Sequence, residues 1–166
     1  MRSAVVVAAL LHSGLLLTAT GLGKLLAPVL FRIELRRQAI VPKRLAGITA
    51  AGVPTVELTV GLWLLSGVAA RFALLAAAGC LLAFAGYNAL LVVRRRPLGC
   101  GCTGLWRVDA SSHAVALVAT LISCGIAAGS AFLAPAGNAY PLPLSTVIVV
   151  AAAAAVVVSV RRMRVA

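Results

Sequence analysis

Charge is what this sequence has least of. Only 11% of its 166 residues are charged, against about 25% in an ordinary soluble domain. Just three of them are acidic, namely Glu34, Glu57 and Asp109. A globule of this size would lack the polar surface needed to meet water on every side. Hydrophobic residues make up 63% of the chain, above the usual ~45–50%. That balance excludes a conventional soluble fold and suits a lipid solvent, in which apolar side chains face outward. Aromatic residues are also few, at 5%, and they are not interleaved with the basic ones. Despite a net charge of +12, the pattern of a nucleic-acid-binding surface is therefore missing. So is the alternation over ~10 residues that marks a barrel strand. The apolar runs are continuous, and a closed helical bundle is then the way to satisfy the backbone inside lipid.

What is present is a series of such runs, and a span needs roughly 20 apolar residues. The sequence predicts an all-α integral membrane bundle forming a single domain over residues 1–166. It should contain about five transmembrane helices, a four-helix core plus one, near residues 4–30, 45–68, 72–93, 113–133 and 144–160. Arg2 ahead of the first run resembles the start of a signal peptide. The run is too long for one, and no small-residue cleavage site precedes a soluble domain, so a retained span is expected. Arg32, Glu34, Arg36, Arg37, Lys43 and Arg44 follow it. They read as a short interfacial helix ended before Pro42, because proline restricts the residue ahead of it. Arg71 marks a tight turn, and residues 94–112 form the one long polar loop. Pro135, Gly137, Asn138, Pro141 and Pro143 make a turn-rich connection before the last run. Ala19 with Gly23, and Gly125 with Gly129, have the spacing that lets membrane helices approach closely.

The basic residues sort by side. With five spans, one side holds Arg2 and Arg71. The other holds Arg32, Arg36, Arg37, Lys43, Arg44, Arg94, Arg95, Arg96, Arg107, Arg161, Arg162 and Arg164. Such a bias puts the second side in the cytoplasm of a bacterial plasma membrane, against anionic lipid head groups, with the N-terminus outside and the C-terminus inside.

Gly99-Cys100-Gly101-Cys102-Thr103-Gly104 is the sharpest local feature, set in the polar loop just after Arg94, Arg95, Arg96 and Pro97. The glycines free the backbone to close a small, strained disulfide ring, and strain raises the reduction potential. The neighbouring arginines favour the thiolate. Three readings stand: a redox dithiol, half of a metal site, or a glycine-rich turn with incidental cysteines. A closed zinc site needs four Cys or His ligands, and Cys100, Cys102 and His113 fall short, so no metal is expected. Cys80 and Cys124 lie in consecutive spans, each roughly 17–20 Å from the loop end of its helix at 1.5 Å per residue. They are either a second, buried couple or small apolar packing residues.

Lys24 and Glu57 are the charged residues well inside spans. An intramembrane charge costs at least ~2.5–3.5 kcal/mol and is usually paired. The two either pair, or Lys24 snorkels to the interface beside a protonated Glu57. His12, Tyr87 and Asn88 are lesser candidates, best read as helix-packing hydrogen bonds.

These residues carry a resemblance. Gly23-Lys24-Leu25 with Pro28, Pro42, then Pro54 with Glu57, Leu58 and Gly61, and finally Cys100-Gly101-Cys102-x-Gly104 resemble the methylamine utilisation protein MauE family, within the DoxX-like group of small membrane proteins. Thr103 departs from the phenylalanine expected there. Ser111-Ser112-His113 stands in place of an Arg-Asn pair. The resemblance implies a membrane helper in maturing a disulfide-rich client, in that family the small subunit of methylamine dehydrogenase. The general design is also similar to vitamin K epoxide reductase-like thiol oxidoreductases, which implies exchange with a thioredoxin-like protein and a quinone as electron carrier. The alternative from another class is a non-enzymatic assembly factor or transporter subunit, in which Lys24 and Glu57 hold the bundle and the loop docks a client.

The charge bias yields the first test. A C-terminal reporter that works only outside the cytoplasm should be silent when fused to this chain, and a strong signal would reverse the assigned orientation.

Overall fold

The structure, a computed structural model, describes residues 2–42, 44–94 and 112–134. All regular structure among them is helical: α1 (Arg2–Leu25), α2 (Pro28–Gln38), α3 (Ala46–Ser66), α4 (Ala70–Val93) and α5 (Ser112–Leu133). The windows Ser3–Leu25, Ala46–Ser66, Ala70–Val93 and Val115–Leu133 are long and apolar enough to cross a membrane. Their 23, 21, 24 and 19 residues correspond to roughly 28–36 Å at 1.5 Å per residue. The chain is thus a multi-pass membrane protein with a four-helix core. The expected fifth span, 144–160, lies outside the described residues.

Two boundaries differ from the sequence expectation. The first span was expected to run over 4–30, but α1 stops at Leu25 and α2 begins at Pro28. Leu26 and Ala27 are as apolar as their neighbours, so hydropathy does not see the break. Pro28 enforces it, because a proline ring suits the first turn of a new helix and cannot continue an old one. The interfacial helix therefore starts earlier than the basic cluster suggested. It ends ahead of Pro42, with Ala39 in the left-handed region at φ 53°. Leu35 and Gln38 point inward while Val29, Leu30, Ile33, Arg32, Arg36 and Arg37 are exposed, the mix suited to the boundary between acyl chains and head groups. The turn expected at Arg71 falls slightly earlier. Gly67 (φ 68°) and Ala69 (φ 49°) reverse the chain, and Arg71 sits in the first turn of α4.

Packing divides the core into two close pairs, α1 with α3 and α4 with α5, joined by lighter contacts between them. Lipid tails are as apolar as leucine, so burial alone does not drive helices together, and backbones must come close instead. Gly14 of α1 lies against Leu65 and Gly61 of α3, while Gly21 lies against Leu58 and Pro54. The pairing order makes the two helices antiparallel. A Cβ on Gly61 would stand 2.7 Å from the Thr18 backbone nitrogen, and one on Gly21 would stand 2.9 Å from the Leu58 nitrogen. Neither contact has room for a methyl group. Of the small-residue pairs expected from spacing, Ala19 is exposed and Gly23 is buried, and a Cβ on Gly125 or Gly129 would meet nothing within 4 Å among the described residues.

The outward faces are apolar, with Phe132 79% and Leu82 60% exposed. Side chains of this kind need lipid as their surroundings. Thr55, Thr59 and Thr120 turn their hydroxyls back on carbonyls of their own helices, those of Ala51, Thr55 and Ala116, which removes the cost of carrying an O–H in hydrocarbon. Pro54, buried within α3, leaves the Ala50 carbonyl without its usual N–H donor.

The glycine seam gives the second test. Gly61→Ala should lower stability by about 1–3 kcal/mol, the usual range for overpacking, read as a fall in melting temperature in detergent. Gly79→Ala, where a Cβ would meet nothing within 4 Å, should leave it unchanged or slightly raised. Equal behaviour of the two variants would refute the close α1–α3 contact.

Candidate functional site: a buried ion pair between two cavities

Lys24 occupies the last turn of α1, where the unpaired carbonyls at a helix end favour a cation. Glu57 sits about midway along α3. The two residues are among the most deeply buried of the described chain, each with only 1% of its surface exposed. They meet in a direct salt bridge and hydrogen bond, Lys24 Nζ donating to Glu57 Oε1. The bare backbone of Gly21, one turn before Lys24, permits this, because a Cβ there would stand 3.0 Å from the Glu57 Cβ. Aromatic rings complete the ammonium's surroundings. Its nitrogen lies 4.6 Å from the centre of the Phe84 ring and 5.5 Å from that of Phe31, both within the reach of a cation–π contact. Of the two arrangements the sequence left open, the structure shows the pair and not the snorkelling lysine.

A cavity of about 310 Å³ opens beside the pair. Its α1 wall repeats every four residues, His12, Leu16, Thr20 and Lys24, so one stripe of the helix supplies it. Leu81, Phe84 and Asn88 come from α4. Ala116, Ala119, Thr120 and Ser123 come from one face of α5. His12 Nε2 is hydrogen-bonded to Ser123 Oγ at 3.2 Å, tying α1 to α5. A second cavity of about 170 Å³ lies under α2, between Phe31 and Leu35 on one side and Thr49, Val53 and Tyr87 on others. Lys24 and Phe84 line both cavities.

At the α2 end, Tyr87 donates a hydrogen bond to Gln38 Oε1, and Arg94 Nη1 approaches the Ala39 carbonyl at 3.5 Å. These contacts anchor the root of the long polar loop against the interfacial helix. Of the expected site residues, Lys24 and Glu57 are brought together, His12 and Asn88 join the same cavity, and Tyr87 joins the second. Cys80 and Cys124 are half-buried and unbridged. They pack against the core shared by α1, α3, α4 and α5, and Cys124 Sγ donates to the Ala78 carbonyl at 3.5 Å. Cys100, Cys102, Arg95 and Arg96 lie outside the described residues; Arg94 is exposed. Sequence reasoning did not pick out Thr20, Gln38, Thr120 or Ser123. Small hydroxyl residues so often bond their own helix that they give little signal. Gln38 was hidden in a basic segment whose buried face was unknown.

Comparison with known proteins adds one decisive match. The profile of the family described as methylamine utilisation protein MauE matches residues 1–123. The chain belongs to the MauE family. The match covers α1 to α4, the polar loop with Cys100 and Cys102, and the first half of α5. Searches of curated proteins and of solved structures returned no match. In this MauE-family chain the buried pair, the two cavities and the loop root all lie within the matched region.

The buried pair gives the third test. Glu57→Gln should leave an uncompensated ammonium and destabilise the bundle by about 3–5 kcal/mol, seen as a large fall in detergent melting temperature. Lys24→Met combined with Glu57→Gln should cost clearly less than the two single changes added together. Strict additivity would show that the two groups do not interact.

Proposed function

We propose that this MauE-family chain assists the thiol–disulfide maturation of a partner protein at a bacterial plasma membrane, with Cys100 and Cys102 as its redox couple. The observation that carries the reading is the family match, whose extent includes the Cys-Gly-Cys motif. The role implied by the family resemblance is maturation of a disulfide-rich client, and a one-residue spacing between thiols beside an arginine cluster suits exchange chemistry.

In the proposed cycle a thiolate of one partner attacks the disulfide of the other and forms a mixed disulfide. The second thiol of the attacking pair resolves it. One dithiol and one disulfide thereby change places, and two electrons and two protons move with them. A thioredoxin-like protein is the proposed partner on the aqueous side. A quinone, converted to its quinol, is the proposed carrier on the membrane side, since it takes up the same two electrons and two protons. The buried features support this division of labour. The loop root is held against α2 by Arg94 and Tyr87, close to the side on which Lys24 ends α1. Lys24 and Glu57 hold the bundle together beneath it and stand beside a largely apolar cavity of the kind that suits lipid-soluble molecules.

The fourth test addresses the thiols. Alkylation and mass analysis should find a two-hydrogen difference confined to the loop, shifting with the applied redox poise. Cys100→Ser or Cys102→Ser should trap or abolish mixed disulfides with a thioredoxin-like protein, while Cys80→Ala and Cys124→Ala should have much smaller effects. Full client maturation with both loop cysteines replaced would sink the redox reading and leave an assembly scaffold in its place.

A further inference from the structure

The basic face of α2 lies beside an apolar gap that opens to the bilayer. Arg32 is exposed, and its guanidinium reaches the start of α3, where a Cβ on Gly47 would stand 3.7 Å from Nη2. The first turn of α3 holds no acidic residue, and its N-cap makes no side-chain hydrogen bond. A cation is out of place there, because the N-terminal end of a helix is itself positive. No carboxylate offsets it among the described residues: Glu57 pairs with Lys24, and Glu34 accepts from Gln38. Arg36, one turn along the same stripe of α2, and Arg44, just ahead of α3, are exposed as well and add to the positive charge. Below this corner α2 roofs the pocket of about 170 Å³. Phe31 and Leu35 face Thr49 and Val53 of α3 and Ala83 and Phe84 of α4 across it. The gap exists because α3 and α4 touch only lightly. Polar groups on its border are already partnered, Lys24 by Glu57 and Gln38 by Tyr87, so the space suits hydrocarbon. It opens to the bilayer at Ala83, which is exposed together with Gly79 and Gly86 on the same stripe of α4. A Cβ on either glycine would meet nothing within 4 Å among the described residues. From Gly47 to Val53 is six residues, roughly 9 Å along the helix at 1.5 Å per residue, so the charge and the gap lie within reach of one molecule.

We propose that this corner binds one anionic phospholipid, its phosphate on Arg32 and one acyl chain in the pocket between α2, α3 and α4. This goes beyond the general attraction of basic loops to an anionic membrane, because it depends on one arginine and one gap. A free phosphate would leave the gap unfilled, and a zwitterionic lipid would bring a cation of its own to the arginine. The chain lies under the helix that covers Lys24 and that is pinned to α4 at its far end. The bound lipid therefore holds α2 down on the bundle beside the root of the polar loop. The site does not need the loop thiols and stands apart from the redox function proposed above.

The test uses the full chain in mixed micelles with equal amounts of phosphatidylglycerol and phosphatidylcholine of identical acyl chains, and native mass spectrometry counts the lipid that stays bound. One phosphatidylglycerol should remain per chain, retained at least about fivefold over phosphatidylcholine, the worth of a single arginine beside anionic lipid. Arg32→Gln should bring the two lipids to equal retention. Arg71→Gln, the same change at an exposed position in the first turn of α4, should leave the preference as it is. Ala83→Phe, which puts bulk into the gap from an exposed helix position, should cut retention of both lipids while leaving the melting temperature close to that of the unaltered protein. Glycerol phosphate, which carries the charge without the chain, should not displace the bound lipid. Equal retention of the two lipids by the unaltered chain, retention unaffected by Ala83→Phe, or displacement by glycerol phosphate would each overturn the proposal. Equal loss of preference in Arg32→Gln and Arg71→Gln would overturn it too, leaving only a diffuse attraction to anionic membrane.

Discussion

A lysine and a glutamate that meet in the interior of a membrane bundle constrain everything around them. Each alone would be too costly to keep in hydrocarbon, so neither helix can take its place without the other. The contact therefore sets the register of α1 against α3 more strictly than apolar packing could, because leucine faces slide past one another at little cost in lipid. The glycine seam follows from it. Gly14, Gly21 and Gly61 let the two backbones approach closely enough for the charges to touch, and Gly21 lies one turn from Lys24 on the same side of the helix. Phe84 and Phe31 then close over the ammonium from α4 and α2. One electrostatic requirement thus draws four helices into a common arrangement.

The interfacial helix serves the same arrangement from outside. A break at Leu26 and Ala27 turns the chain out of the bundle just after Lys24, so the charged end of α1 is roofed by α2 and not by solvent. Its far end is pinned to α4 through Gln38 and Tyr87, and through the Ala39 carbonyl and Arg94. The start of the cysteine-bearing loop is in this way attached to the helix that covers the ion pair.

Much of this was legible in the residues alone. Continuous apolar runs separated by arginines can form little except membrane helices, and two opposite charges in a lipid interior have strong reason to find each other. The errors have physical causes as well. Leu26 and Ala27 carry no hydropathy signal, so the first helix looked longer than it is, and Pro28 was the clue that outweighed them. Spacing of small residues pointed to Ala19 and Gly23 and to Gly125 and Gly129. The close contact instead uses Gly14 and Gly21, seven residues apart, because contact along an antiparallel pair recurs every two turns. The cavity could not be seen in advance. It arises where stripes from α1, α4 and α5 diverge beside Glu57, and that depends on how the helices lean, which no single helix encodes.

Lys24 and Phe84 belong to the walls of both cavities, so the two spaces are separated by side chains and not by backbone. The same ammonium that ties α1 to α3 is therefore also part of the boundary of each space. A substitution at either residue reshapes the pocket beneath the interfacial helix and the pocket facing the bilayer together.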